Sequence, residues 1–132
     1  MNQFLNKNYI KKPYSNIKKG YRTIGGQRCY FKSAWEANTA RLLEFQKRTW
    51  QYEPKTFWFE AIRRGVRSYK PDFYLPKEDI YIEVKGYLDA KSKTKLKRMA
   101  KYHPKVKIEV WDSEFFKAIA RQGLGRMIEG WE

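Results

Sequence analysis

The chain has 132 residues, enough for one domain with a core and too few for two. Hydrophobic residues make up 42% of it, with ten Tyr, eight Phe and five Trp, a globular composition that excludes a disordered chain. Lys and Arg number 29 against 14 Asp and Glu, and a formal charge of +15 draws in polyanions. Charge alone leaves DNA, RNA and an anionic membrane open. The membrane is disfavoured because no basic stretch carries a wide apolar face. With no apolar run of bilayer length and no secretory-type N-terminus, the expectation is a soluble, cytoplasmic protein.

Residues 1–30 show little periodicity and read as a basic arm, ordered on DNA or on a partner subunit. No acidic residue occurs in positions 1–35, which hold Lys7, Lys11, Lys12, Lys18, Lys19, Arg22, Arg28 and Lys32. Gly25-Gly26 marks a break. The single cysteine, Cys29, has no disulfide partner and reads as a small apolar residue beside Tyr30 and Phe31.

Residues 33–47 form the first predicted helix, with Trp35, Thr39, Leu42, Leu43, Phe45 and Gln46 on its core face. Residues 52–62 read as extended, with Phe57 and Phe59 on one side and Trp58 and Glu60 on the other. Arg63-Arg64-Gly65 turns the chain into a returning strand over residues 67–75, interrupted by Pro71. From Asp79 to Lys85 the pattern alternates: Ile80, Ile82 and Val84 face one way, Tyr81, Glu83 and Lys85 the other. Asp89 is the predicted N-cap of a helix to Tyr102 with Leu96, Met99, Ala100 and His103 inward, and Pro104 stops it. This helix bears the second basic cluster, including Lys91, Lys93 and Lys95. The lone histidine, His103, reads as structural or solvent-facing. A fourth strand over residues 105–111, a helix from Ser113 and a short helix within residues 124–131 complete the chain. A helical link between the third and fourth strands predicts a parallel crossover. The fold class is therefore α/β, a mixed central sheet of about four to five strands flanked by helices.

Glu83 and Lys85, two apart on a strand, leave one face. Asp72 lies on the neighbouring strand, next to Pro71, which lacks a ladder donor. Two carboxylates and an ammonium converging on otherwise hydrophobic strands suit phosphodiester hydrolysis. Hard oxygen ligands hold Mg²⁺, the metal activates water, and the amine orients the water or stabilises developing negative charge. The same three residues also fit a cross-strand salt-bridge cluster, so spacing alone leaves both readings open.

Pro71-Asp72 followed by Glu83-Val84-Lys85 resembles the PD-(D/E)XK nuclease superfamily. Phe31-Lys32-Ser33-Ala34-Trp35-Glu36, Tyr52-Glu53, Ser68 to Pro76 and Glu83-Val84-Lys85-Gly86 are similar to the phage endonuclease I type of Holliday-junction resolvase, over roughly residues 31–103. The resemblance implies a restriction-endonuclease-like nuclease domain over residues 31–132. It also implies a homodimer that acts on four-way and other branched double-stranded DNA with Mg²⁺, or Mn²⁺ as substitute, and with no small-molecule cofactor. It makes Asp72 and Glu83 metal ligands with the Val84 carbonyl, Glu36 the carboxylate completing the site, and Lys85 the catalytic lysine. The family pattern has a carboxylate before the Tyr-Glu pair where this chain has Gln51, which leaves a second metal open. Glu36 has another reading too, because Ser33-x-x-Glu36 is a capping box. Lys11, Lys12, Lys18, Lys19, Arg28, Lys32, Lys91, Lys93 and Lys95 are the expected DNA contacts. Alternatives are a site- or mismatch-directed nicking enzyme and a non-catalytic basic nucleic-acid-binding protein. No separate sequence-reading module is visible in the sequence, which favours recognition of shape.

Overall fold

The structure is a computed structural model that describes residues 18–132. Lys11, Lys12 and the rest of the arm up to residue 17 lie outside the described residues.

Two strands, β1 (Gly20–Ile24) and β2 (Gln27–Phe31), pair as an antiparallel hairpin. Its two-residue turn is Gly25-Gly26, with φ of 58° and 81°. Positive φ at both central positions is what a tight hairpin turn of the right twist demands, and glycine meets it without strain. The described part of the expected arm is thus a packed element, with Ile24 and Phe31 buried in the main core.

Helix α1 (Ala34–Phe45) follows, capped by Ser33 Oγ, which accepts from the Glu36 N–H at 3.1 Å. Ala34, Ala37, Asn38, Thr39, Ala40, Leu42 and Leu43 are all buried, so the helix is covered over more than one stripe. Phe45 and Gln46, expected on the core face, are exposed together with Glu44 and Lys47, at the end of the helix.

Residues 52–62 do not make one strand. β3 (Gln51–Tyr52) and β4 (Phe57–Trp58) join different sheets, separated where Glu53 takes a left-handed φ of 48° ahead of Pro54. The returning strand is likewise split into β5 (Ser68–Tyr69) and β6 (Phe73–Leu75) around Lys70-Pro71-Asp72. β7 (Ile80–Val84), α2 (Ala90–Tyr102), β8 (Ile108–Trp111), α3 (Ser113–Arg121) and the short α4 (Leu124–Met127) follow in order.

The central sheet runs β3-β6-β7-β8, antiparallel except for the parallel β7–β8 pair. The fold is mixed α/β, and the parallel crossover through α2 is as the sequence predicts. Both sheet faces are covered. Ile82, Val84, Phe73 and Leu75 pack against α1, α3 and the hairpin. Tyr81, with Phe57, Phe59, Tyr69 and Met99, forms a second core beneath α2. Phe57 and Phe59 point in and Trp58 and Glu60 out, as alternation requires. Asp89 caps α2 at the Ser92 N–H, whereas Ala100 is exposed rather than inward; Met99 and Ser92 are the buried positions of that helix. His103 bridges to the Trp58 carbonyl at 2.9 Å. Among the described residues no helix is long and apolar enough to cross a membrane.

Candidate metal centre

Register brings the acids together. Tyr52 pairs with Phe73, and Phe73 with Ile82. One step further along the same registers sets Glu53 beside Asp72 and Asp72 beside Glu83, and the Glu53 N–H donates to the Asp72 carbonyl at 2.8 Å. A row of three acids therefore runs past the ends of β3 and β6 to β7, Asp72 being joined to β7 by the hydrogen bond that its carboxylate accepts from the Val84 N–H at 2.8 Å, next to Glu83. Like charges directly opposite on a sheet are destabilising, so packing alone gives no reason for this row.

The fourth acid arrives from the helix. Trp35, at the start of α1, packs on Phe116 and on Gly86, where a Cβ would stand 3.0 Å from its ring. That contact seats the N-terminus of α1 against the end of β7. Glu36, in the next position, accepts hydrogen bonds from the Tyr52 hydroxyl and from the Lys32 N–H (3.3 Å). Only half of the capping box forms: Ser33 caps the Glu36 amide, but the Glu36 carboxylate accepts from the Lys32 N–H and not from that of Ser33, and lies towards Asp72. The positive end of the helix dipole favours negative charge there.

One carboxylate oxygen from each of Glu36, Glu53 and Asp72 lies within 4.8 Å of the others. Glu83 stands outside that trio, and its Oε1 accepts from the Tyr69 hydroxyl at 2.7 Å. Its charge still acts on Asp72. Burial drives the Asp72 carboxyl well above its ordinary range; the charges of Glu83 and Glu36 push it further, against a 2.8 Å hydrogen bond from the Val84 N–H. Glu36 is raised by burial despite its hydrogen bonds from Tyr52 and Lys32. Glu83 is raised by burial as well, opposed by Tyr69, Lys85 and Lys95. The buried hydroxyls of Tyr52 and Tyr69, facing these carboxylates, are held strongly protonated.

Two amines partly neutralise the cluster: Lys32 Nζ lies 2.9 Å from Glu53 and Lys70 Nζ 4.0 Å away. The hydrogen bond to Glu53 raises the Lys32 pKa. Lys85 is half-buried at the end of β7, near enough to favour the charged form of Glu83. Of the expected DNA contacts, Lys18, Lys19, Arg28, Lys32, Lys91 and Lys93 are exposed, while Lys95 is half-buried and its charge favours the ionised form of Glu83.

The sequence reading did not count Glu53, Tyr52, Tyr69 or Lys70 as site residues. The signal for them was the resemblance to endonuclease I, which takes in both Tyr52-Glu53 and the Ser68 to Pro76 stretch; strand alternation gives no warning that the chain leaves its ladder at Glu53. Three carboxylates in hydrogen-bonding range of one point, two of them short of solvent, form a donor set that fits a hard divalent cation. Comparison of the chain with protein-family models, curated proteins and solved structures finds no match.

Proposed function

We propose that the protein is a magnesium-dependent DNA endonuclease that cuts four-way junctions and other branched DNA, working as a homodimer. The observation that carries this reading is the convergence of Glu36, Glu53 and Asp72, with Glu83 beside them, in a chain of net charge +15. Four acids brought together at that cost need a counter-charge, and Mg²⁺ with a DNA phosphate supplies one that lysines meet only in part.

Glu36, Glu53 and Asp72 would hold the metal, with Glu83 at its flank. A bound Mg²⁺ polarises a phosphoryl oxygen and lowers the pKa of a bound water. Lys85 supplies an N–H donor and a positive charge beside the acids, suited to orient the attacking water or balance charge on the phosphate. Tyr69 and Tyr52 fix the Glu83 and Glu36 carboxylates by donating to one oxygen of each, and the other oxygen of each has no hydrogen-bond partner among the described residues. Lys32 and Lys70, now paired with Glu53, can pass to phosphate oxygens when DNA arrives.

The test is cleavage of a fixed four-way junction and of linear duplex of the same sequence, in Mg²⁺, Mn²⁺ and EDTA. Junction cutting in either metal, none in EDTA and none by Asp72→Asn is the expected result. Equal cutting of both substrates would remove the junction selectivity. Binding without cleavage under all conditions would leave a basic nucleic-acid-binding protein. Calorimetric titration with Mg²⁺ reads the metal site without relying on turnover: Asp72→Asn should lose the binding heat.

A further inference from the structure

The hairpin ahead of α1 has two unlike faces. Its inner face puts Ile24 and Phe31 into the core. On its outer face Tyr21 and Tyr30 are cross-strand partners, and so are Thr23 and Arg28. The tyrosine rings meet edge to face at 5.1 Å, and the Arg28 guanidinium lies 3.9 Å from the Tyr21 ring centre. Tyr21 remains 59% exposed and Tyr30 46%. Lys19 and Lys32 continue the same alternation at the two ends, and no acidic residue occurs anywhere in the hairpin.

A cross-strand aromatic pair steadies a hairpin, but this one already has its inner face in the core and a favourable turn. Two exposed rings, one of them beneath a guanidinium, flanked by amines on a hairpin with no acid of its own, match the chemistry of unpaired nucleic acid: bases for the rings, phosphates for the cations. The location agrees. Lys32 lies two residues after Tyr30, a reach of about 7 Å, and its amine touches Glu53 of the carboxylate cluster.

The geometry points to the outer face of the hairpin as a stacking platform for unpaired bases of DNA, next to the phosphate held at the carboxylates. Duplex bases are stacked on one another and unavailable, so the platform favours branch points, flaps and frayed ends over perfect duplex. DNA is named as the ligand on the strength of the proposed endonuclease function; the platform itself rests on the tyrosines, Arg28 and the missing acids.

The experiment compares binding of a forked DNA with an unpaired arm and a blunt duplex, in EDTA, so that cleavage plays no part. Thr keeps the strand preference of the hairpin and Phe keeps the ring. Tyr21→Thr combined with Tyr30→Thr should bind the fork about tenfold more weakly or worse, as expected for loss of stacking aromatics, and bind the duplex nearly unchanged. Tyr21→Phe with Tyr30→Phe should match the unaltered protein on both. In the unaltered protein, 5-iododeoxyuridine in the unpaired arm should crosslink to Tyr21 or Tyr30, a readout that does not depend on the Thr variant folding. Crosslinks mapping only elsewhere, equal losses on fork and duplex, or fork binding untouched by the Thr pair would overturn the platform. Stacking without cutting in any metal would retain it and remove the endonuclease; cutting with fork binding untouched would do the reverse.

Discussion

Asp72 shares a carboxylate trio with Glu36 and Glu53, feels the charge of Glu83 as well, and is 9% exposed. Folding raises the pKa values of Asp72, Glu36 and Glu83, in each case chiefly by burial. The folded chain therefore holds these protons more tightly than the unfolded chain does. Their contribution to stability is full below the ordinary carboxylate range and is lost as pH rises through the raised values. In EDTA the melting temperature should accordingly climb as pH is lowered from 8 towards 5, as read by a thermal melt at each pH. Asp72→Asn removes one charge from the row and can keep the acceptor for the Val84 N–H. It should raise Tm in EDTA at pH 8 by several degrees, of order 1 kcal/mol, while abolishing cleavage. A lower Tm would mean that the acids are held by ion pairs and are not in conflict. Mg²⁺ should stabilise the unaltered protein and leave Asp72→Asn unmoved. Tyr69→Phe takes away a hydrogen bond that favours charged Glu83. The acid limb of its pH–rate profile should move to higher pH, and an unmoved limb would show that Glu83 does not titrate in the reaction.

Among the described glycines, Gly25 of the hairpin turn leaves the least room for a methyl group. A Cβ at Gly25 would land on the Glu44 carboxylate, which also accepts from Trp50 Nε1 at 2.7 Å. Gly26 has open space around it. Gly25→Ala should therefore cost about 1–2 kcal/mol, combining a left-handed φ with a displaced Glu44, whereas Gly26→Asn should cost a few tenths; chemical denaturation compares them. The Gly-Gly turn and the alternation on either side of it were present in the sequence, but the dense positive charge drew the reading towards an unpacked arm. Elements with both ends marked were read well: β7, whose alternation ends at Gly86, and α2, which opens at Asp89 and stops before Pro104. Residues 52–62 misled because the break there is a backbone event, a positive φ at Glu53, that composition does not announce. That break also hid Glu53 from the candidate site. Of the motif residues only Glu83 lies on a strand, with Asp72 just ahead of β6 and Lys85 just past β7; which acids share one point depends on the β3–β6 register and on where Trp35 seats the helix.

The distribution of charge separates cations that the fold uses from cations it leaves available. Arg22 and Arg41 are both spent on Glu132, at 2.6 and 2.8 Å, and the Asn38 side chain clasps the Glu132 backbone from either side. Arg48 and Lys117 have carboxylate partners too. Among the described residues no lysine of α2 takes part in an ion pair. Lys91, Lys93 and Lys97 are exposed on that helix, in the element that also brings Lys95 towards Glu83. A duplex arm whose phosphate reaches the carboxylates would have α2 beside it. Each phosphate neutralised by such a lysine releases condensed counterions and steepens the dependence of log K on log salt by about 0.9. Replacing the three lysines with Gln keeps helix propensity nearly constant and leaves Tm within about 0.5 kcal/mol of its starting value. Binding of a junction in EDTA, measured from 50 to 200 mM salt, should then lose about 2 to 3 from its slope, while the Tyr21 and Tyr30 variants keep theirs. An unchanged slope in the lysine variant would move the duplex arms away from α2 and onto the hairpin side of the carboxylates.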